Sequence, residues 1–365
     1  MTSLNFLPSR RIAWYLAWSF LKTSFGVLIG LVLILAMLDL LGNSGRILAQ
    51  PGNGNAELWR YVGLRLPQII QQFLPFALLL GTLITLASMN QHSEIVSMKA
   101  AGISAHQIIA PLILASLIVA AANFVFNERV ATRATAALDA WADVKYAAVP
   151  ADTGVQTNVK VRVGDDLIFV RRVSGTGADT RLEGVTLFDR TGGRLTGILD
   201  ARSGRFANPG WELTETSRFD VETNNLATAP RLIVAQEVDP VQFTLVAVDA
   251  DEQDFWELKR SIDELAAAGR PTRSAETSWW HKLSGPLSSV LMPLLAAIAA
   301  FGLARSGQLF VRAVVGMGLG FSYFVVDNFA LALGNFGAYP PFLAAWGPFF
   351  LFLLIGETVL VRTEE

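Results

Sequence analysis

The chain has 365 residues, of which 52% are hydrophobic and only 16% are charged, and its formal net charge is −2. Because an average soluble domain carries about 25% charged residues, this composition excludes an ordinary water-soluble protein. The absence of cysteine excludes disulfides and thiolate metal sites, and no basic run with interleaved aromatic residues indicates a nucleic-acid partner.

Most of the charge is concentrated in one segment of the chain. Residues 127–278 contain 18 Lys/Arg and 24 Asp/Glu, and the sequence on either side is nearly charge-free. This division predicts a first transmembrane half at 1–126, a water-soluble domain at 127–278 and a second transmembrane half at 279–365.

Apolar segments in the first half predict membrane spans at about 12–41, 66–88 and 106–126. As a helix the first segment is roughly 45 Å long, more than the ~30 Å hydrocarbon core. Its beginning is therefore expected at the interface, with Trp14, Tyr15 and Trp18 as aromatic anchors. A cleaved signal peptide is the alternative, but the segment is too long and further spans follow. Residues 43–65 are expected to form a polar loop.

A short polar stretch between the second and third spans predicts a helix over about 93–102. Ser93 is expected to cap its N-terminus, and Glu94 lies in the first turn, where a negative charge suits the helix dipole. Lys99 is expected in the last turn, with Gly102 ending the helix. A loop this brief needs no helix of its own, so the helix is interpreted as a surface presented to another molecule.

The charged segment changes to a hydrophobic period of two near Asn158, where Val159, Val161 and Val163 alternate with polar residues. The strands that follow are predicted at 167–173, 182–189, 195–201, 205–207, 211–214 and 218–223. A series of short strands separated by turns predicts a β-sandwich or jelly roll. A helix at Phe255–Ala267 and a linker at 269–277 complete the domain.

The second half contains apolar segments that predict spans at about 279–303, 310–333 and 341–361. The predicted fold class is therefore an α+β membrane protein with six transmembrane helices, in which a β-jellyroll domain is inserted between the third and the fourth. Lys and Arg favour the cytoplasmic side, and one side of the membrane carries Arg10, Arg11, Lys22, Lys99, Arg305, Arg312 and Arg362. Both termini and the loop helix are accordingly expected in the cytoplasm, and the β domain in the periplasm of a Gram-negative bacterium.

No motif indicates catalysis. The sequence lacks Gly-x-x-x-x-Gly-Lys-Ser/Thr, so the chain is not expected to bind ATP through a P-loop, and it lacks Gly-x-Ser-x-Gly. Asp165 and Asp166 are typical of a hairpin turn and not of a catalytic pair. His92, His106 and His281 lack metal-ligand spacing. We therefore expect no catalytic site and no metal site.

Charged residues in or near the membrane are the better candidates for functional residues, because a charge is energetically costly there. Asp39, Arg46, Arg129 and Arg133 are all expected near the outer surface. The arginines could bind the phosphates of an anionic lipid headgroup, or they could be ordinary interfacial residues. For Asp39 a structural salt bridge is favoured. Asp327 is expected to face a cavity or a neighbouring helix.

The loop helix also has two interpretations. Ile95 and Met98 are three residues apart and share a face, which is typical of a helix that docks in a groove. Alternatively, Glu94 is a solvated carboxylate at a helix start. We favour docking, and the residues assigned to the docking site are Glu94, Ile95, Met98, Lys99 and Gly102.

The whole chain resembles the lipopolysaccharide-export permease family, LptF/LptG. The most specific element is the block Glu-x-x-x-Met-Lys-Ala-x-Gly at 94–102, and Leu74-Pro75-Phe76, the Arg181–Phe188 block and the Leu343–Pro348 block agree with it. Asp39 within Leu38-Asp39-Leu40-Leu41, followed by Arg46, is more similar to the LptG branch than to the LptF branch.

The resemblance implies a transmembrane permease subunit of an ATP-driven ABC exporter in the bacterial inner membrane. Such a subunit pairs with its paralogue, here LptF. It extracts lipopolysaccharide and passes it to a periplasmic bridge through LptC. The separate ATPase LptB docks on the helix after the second span and binds ATP and Mg, so no cofactor is expected in this chain. By this resemblance Glu94 and its helix correspond to the coupling helix, and Arg46, Arg129 and Arg133 to residues near substrate phosphates.

Two further classes remain open from the residues alone. A membrane-anchored periplasmic scaffold or sensor would need the β domain but not the loop helix. An ion-coupled secondary transporter would need broken helices and charges at the membrane midplane, and it ranks last.

Overall fold

The computed structural model describes residues 7–147, 156–163, 165–175, 179–191, 194–207, 210–221, 223–234, 238, 249–267, 270–302 and 309–362. These residues belong to two compact units. The helical unit draws on Met1–Val149, Asp249–Asp263 and Pro271–Glu365, and the strand unit on Pro150–Val248 and Glu264–Arg270. The strand unit is therefore narrower than the segment 127–278 that the charge pattern marks.

The helices are α1 Arg10–Leu48, α2 Asn55–Gln91, α3 Glu94–Ala100, α4 Ala105–Phe126, a π-helical turn Asn127–Ala131, α5 Thr132–Asp143, α6 Phe255–Ala267, α7 Arg273–Gly302, α8 Leu309–Asn335 and α9 Pro341–Arg362. Among the described residues, 6 helical segments are long and apolar enough to cross a membrane, which confirms the predicted number of spans. The predicted helix Phe255–Ala267 is also confirmed.

Helix α7 lies at the centre of the helical unit, packed against α2, α4, α8 and α9. Its Leu291, Leu295 and Ala297 are fully buried. Helix α1 packs against α2 but leaves long apolar side chains exposed, among them Ile29, Leu33 and Met37. Exposed apolar surface of this kind is stable only against lipid or another protein.

Several helix boundaries differ from the predicted ones. The predicted polar loop at 43–65 is wrong, because α1 continues to Leu48 and α2 already begins at Asn55. The added turns of α2 are capped by Glu57, whose Oε2 accepts the Gly54 N–H at 2.7 Å. One of their side chains is buried: Tyr61 packs with Ile47. Likewise α7 begins at Arg273, inside the predicted linker.

The strand unit contains one antiparallel sheet with strands β1 Gln156–Val163, β2 Asp166–Ser174, β3 Arg181–Thr191, β4 Arg194–Ala207, β5 Gly210–Asp220 and β6 Asn225–Val234. The strands pair in the order β1-β2-β3-β4-β5-β6, an up-and-down meander. The core includes Val170, Leu182 and Trp211, and the Trp211 indole donates to the Val238 carbonyl at 2.8 Å. A jelly roll has Greek-key connections, so the described strands do not confirm that prediction.

Two strand predictions are corrected. The segments predicted as separate strands at 195–201 and 205–207 belong to one continuous strand, β4. Those predicted at 211–214 and 218–223 likewise belong to one strand, β5. Gly204 is a close-packing position and not a turn, because a Cβ there would lie 2.7 Å from Leu213. Strand β6 has no fully buried side chain, and only Leu232 and Val234 near its end pack partly against the core. Its period-two signal is therefore short, and Pro230 is tolerated at the edge of the described strands.

The contact between α1 and α2 depends on small residues. Ser24 of α1 is buried, and a Cβ built on Gly81 of α2 would lie 2.6 Å from the Ser24 Cα atom. Close approach of helix backbones through small side chains is the usual way that membrane helices pack tightly.

We predict that Gly81→Ala destabilises the helical unit by about 1–3 kcal/mol, the usual cost of overpacking a core. Thermal unfolding of the purified protein in detergent would measure the loss. Gly26→Ala is the matched control, because no atom lies within 4 Å of a Cβ at Gly26 of α1. Equal melting temperatures for the two variants would contradict the assigned contact.

Candidate functional site

Helix α3 lies at one end of the helical unit and is held there by its apolar side chains. Ile95 is only 6% exposed, and Met98 packs against the same core. The face predicted to dock with a partner is therefore turned inward. The surface that α3 presents instead includes the exposed residues Val96, Ser97 and Lys99, beside the half-buried Glu94.

The predicted cap of α3 is wrong, although its end is as predicted. Only His92 and Ser93 separate α2 from α3, so the chain must turn sharply. Ser93 accordingly takes a left-handed backbone with φ 59°, and its side chain makes no cap. Gly102 follows the helix with φ 84°, a conformation that favours glycine. The side-chain cap lies at the next helix, where Ser104 Oγ accepts the Gln107 N–H at 3.2 Å.

Glu94 has a partner within the chain. The Tyr15 hydroxyl of α1 donates to Glu94 Oε2 at 3.0 Å and lies 3.3 Å from Oε1. The sequence indicated Tyr15 only as a membrane-interface anchor. The contact joins the start of the first span directly to the carboxylate of α3.

The opposite end of the unit, which we call the distal end, is where α1 ends and α2 begins. Asp39 forms a salt bridge there, as expected, and its partners lie on α2. Tyr61 Oη donates to Asp39 Oδ2 at 2.6 Å, and Arg65 lies 3.4 Å from Asp39 Oδ1. A satellite apolar cluster of Ile47, Tyr61, Leu138 and Trp141 closes this end.

The arginines predicted to contact substrate are exposed. Arg46 lies in the last turn of α1, Arg129 in the π-helical turn and Arg133 in α5. None of them forms an ion pair with the residues that the structure describes. The sequence does not predict the π turn. Such a turn inserts one extra residue into a helix, and π turns are frequently found at functional sites.

A polar cavity of about 570 Å³ lies inside the distal half of the helical unit, between α2, the π turn, α5, α7 and α8. Asn127 of the π turn lies on its wall. The charged residues on the wall are Arg65, Asp139, Asp251, Lys282 and Asp327. The amide residues there are Gln68, Gln71, Gln72, Asn123, Asn127, Asn328 and Asn335.

A buried ion pair fixes the wall of this cavity. Lys282 Nζ of α7 lies 3.7 Å from Glu128 Oε1, and their side chains are 8% and 12% exposed. Glu128 Oε2 accepts the backbone N–H of Phe255, which joins the π turn to the start of α6. Because a buried charge is stable only when paired, this pair is essential to the arrangement of α6, α7 and the π turn.

Asp327 lies on the cavity wall and is only 6% exposed. Its Oδ1 has no hydrogen-bond partner among the described residues. Beside Asp251 in the chain, partial burial raises the pKa of Glu252, and the negative charges of Asp249 and Asp139 raise it further. The cavity wall itself carries three carboxyl groups, Asp139, Asp251 and Asp327, and two basic side chains, Arg65 and Lys282.

The sequence predicts that Asp327 faces a cavity or a neighbouring helix, but it does not predict which residues form the rest of the cavity wall. The polar wall residues occur singly or in adjacent pairs on separate helices, so no local motif joins them. The available signal was the repetition of Gln and Asn inside predicted spans, as at Gln71, Gln72 and Asn123, since polar groups there need internal partners.

Comparison with known proteins agrees with the resemblance seen in the sequence. The family model described as lipopolysaccharide export system permease LptF/LptG matches residues 14–362. The lipopolysaccharide export system permease protein LptG of Escherichia coli K12 is 26% identical over 309 residues, which cover 83% of this chain and 84% of that protein. The protein of the same name from Haemophilus influenzae is 25% identical over 369 residues, 96% of this chain and 98% of that protein.

We predict that Lys282→Met lowers stability by about 3 kcal/mol, because it leaves the Glu128 carboxylate buried without a countercharge. The double variant Glu128→Gln/Lys282→Met should recover most of this loss, since no charge then remains buried. Thermal unfolding in detergent provides the measurement. A double variant that is less stable than Lys282→Met alone would contradict the pairing.

Proposed function

This chain belongs to the LptF/LptG family of lipopolysaccharide export permeases, and from this premise we propose that it is the transmembrane subunit of an ATP-driven ABC exporter. In this role it resides in the inner membrane with both termini in the cytoplasm. It extracts lipopolysaccharide and passes it to a periplasmic bridge. Its identity to proteins named LptG supports the LptG role, with LptF as the paralogous partner.

The observation that carries the proposal is α3 itself. The sequence has no P-loop, so an ATP-driven transporter of this kind must receive its energy from another chain. Helix α3 offers a half-buried carboxylate at the end of the bundle that carries the basic Arg10, Arg11 and Lys99. We assign the docking of the ATPase LptB, which binds ATP and Mg, to this end. Ile95 and Met98 then hold α3 firmly enough to transmit force to the bundle.

The exposed apolar faces of α1 and α8 support pairing with a second permease. Leu33 and Met37 of α1 are each 65% exposed, and Phe321 and Phe329 of α8 are 61% and 64% exposed. In a single chain these faces contact only lipid. Between paired permeases they would line an apolar space that accepts the acyl chains of lipopolysaccharide.

The exposed arginines at the distal end suit the substrate's phosphates. Arg129 and Arg133 have no carboxylate partner among the described residues, so their guanidinium groups are available for bidentate hydrogen bonds to a phosphate. Arg46, at the end of α1, is the third candidate of this kind.

The strand unit supports a bridge to the periplasm. Among the described strands β6 lies at an edge of the sheet, and it carries exposed apolar residues, with Leu226 at 60% and Ile233 at 56% exposure. An open edge can accept a further strand from another protein. We assign contact with LptC to this unit, and a jelly-roll arrangement of the complete domain would extend the sheet around an apolar interior.

We predict that Glu94→Arg weakens association with the ATPase by at least tenfold, the equivalent of one lost charge-assisted contact of about 1.4–3 kcal/mol. Tyr15→Phe should weaken it less, because it removes only the hydroxyl that positions Glu94. Copurification of the ATPase with each variant gives the measurement. The matched control is Asp263→Asn, an exposed carboxylate on α6.

If the ATPase copurifies with Glu94→Arg at the wild-type ratio, the docking role of Glu94 is refuted. If no P-loop ATPase accompanies the wild-type chain at all, a scaffold or sensor without transport becomes the better account.

We predict that Arg129→Glu/Arg133→Glu reduces photo-crosslinking of lipopolysaccharide to the membrane complex by at least fivefold, because each reversal repels the substrate's phosphates. The control is Arg260→Glu, an exposed arginine of α6. Unchanged crosslinking in the double variant would place both residues among ordinary interfacial arginines.

A further inference from the structure

The wall of the polar cavity in the distal half of the helical unit carries more acidic than basic side chains. Both basic side chains already form ion pairs: Lys282 pairs with Glu128 at 3.7 Å, and Arg65 pairs with Asp39 at 3.4 Å. Asp139, Asp251 and Asp327 line the same space, as does the imidazole of His281, which interacts electrostatically with Asp327. No Lys, Arg or His nitrogen of the described residues lies within ion-pair distance of these three acids.

Asp327 is the deepest of these acids and has the greatest need of a ligand. It is 6% exposed and its Oδ1 has no hydrogen-bond partner among the described residues. The neighbouring Asn328 does not supply one, because its amide donates at 2.8 Å to the Phe324 carbonyl of the same helix. A buried carboxylate without a donor is costly, so the site favours a ligand that brings both N–H or O–H groups and positive charge.

The size and composition of the cavity indicate what that ligand is. Its volume of about 570 Å³ lies in the range of small-molecule sites, roughly 300–1,000 Å³, and far exceeds one water at about 30 Å³. The described residues contain no group of three or more His, Cys, Asp or Glu placed to hold a metal ion. The wall instead offers scattered carboxylate and amide oxygens, which suit the three N–H donors of an ammonium group.

We propose that this cavity is a binding site for a primary ammonium group, which the Asp327 carboxylate accepts at its deep end and Asp139 and Asp251 attract at its mouth. The ammonium is either part of a lipid headgroup or a free amine, and the chemistry of recognition is the same for both. The site lies within one chain, so it stands independently of the transport role and of any partner.

Ethanolamine is the probe, and the full-length chain in an uncharged detergent is the sample. Ethanolamine should raise the melting temperature in a saturable way, whereas tetramethylammonium at equal ionic strength should not, because it carries the charge without an N–H donor. The Asp327→Asn variant should bind ethanolamine at least tenfold more weakly by calorimetry. Glu357→Gln, a carboxylate at the α3 end paired with His106 at 3.6 Å, should bind it as the wild type does.

Equal effects of ethanolamine and tetramethylammonium on the wild-type protein would overturn the proposal, and this comparison does not depend on whether Asp327→Asn folds. Wild-type affinity in a folded Asp327→Asn variant would also overturn it, as would a saturable effect of magnesium chloride with none of ethanolamine. The source of the ligand follows from reconstitution in nanodiscs. If added ethanolamine acts in phosphatidylcholine but not in phosphatidylethanolamine, the lipid headgroup occupies the site, and equal action in both indicates a free amine.

Discussion

The interior of a bilayer offers no water to a polar group, and this constraint determines the arrangement of the helical unit. A charge in the spans is costly there unless it has a partner in the protein or in a bound ligand. Lys282 meets Glu128, and Asp39 meets Tyr61 and Arg65. These pairs join helices that are distant in sequence, so they fix the distal end of the bundle where apolar packing alone would allow sliding. One member of each pair, Lys282 and Arg65, also lines the polar cavity.

At the opposite end of the bundle, the position of α3 depends on its contacts with the rest of the helical unit. A helix of 7 residues is too short to be stable alone in water, so its position depends on what it touches. Ile95 fixes it to the core, and the Tyr15 hydroxyl fixes its carboxylate to α1. Helix α1 is also the span with the most exposed apolar surface. The Tyr15–Glu94 hydrogen bond is therefore a direct contact between the helix that carries the face proposed for lipid and the helix proposed for the ATPase.

The sequence predicts elements well where one physical signal dominates. Continuous apolar runs predicted α8 and α9 to within two residues of their ends. Prediction failed where tertiary contacts decide. Asn55 to Arg65 are polar enough to suggest a loop, yet Tyr61 is buried against α1 and α5, with Leu58 and Leu64 partly buried beside it. Strand β6 packs only Leu232 and Val234 partly against the core, so its alternating pattern is short. Ile95 and Met98 share a face as predicted, but whether that face points inward or outward depends on the packing of the bundle. The cavity residues come from separate helices, so only the fold brings them together.

The absence of cysteine makes the central claim, that an ATPase docks on α3, directly measurable. A single cysteine at Val96, which is 60% exposed on α3, can be placed without disturbing Glu94 or the buried face. A single cysteine at Trp59, 75% exposed at the distal end of α2, is the matched control. With a bifunctional thiol crosslinker in membranes, the account predicts that Val96→Cys forms a covalent adduct with a cytoplasmic P-loop ATPase and that Trp59→Cys does not. The absence of that adduct at Val96→Cys, in a complex that still exports lipopolysaccharide, would contradict it.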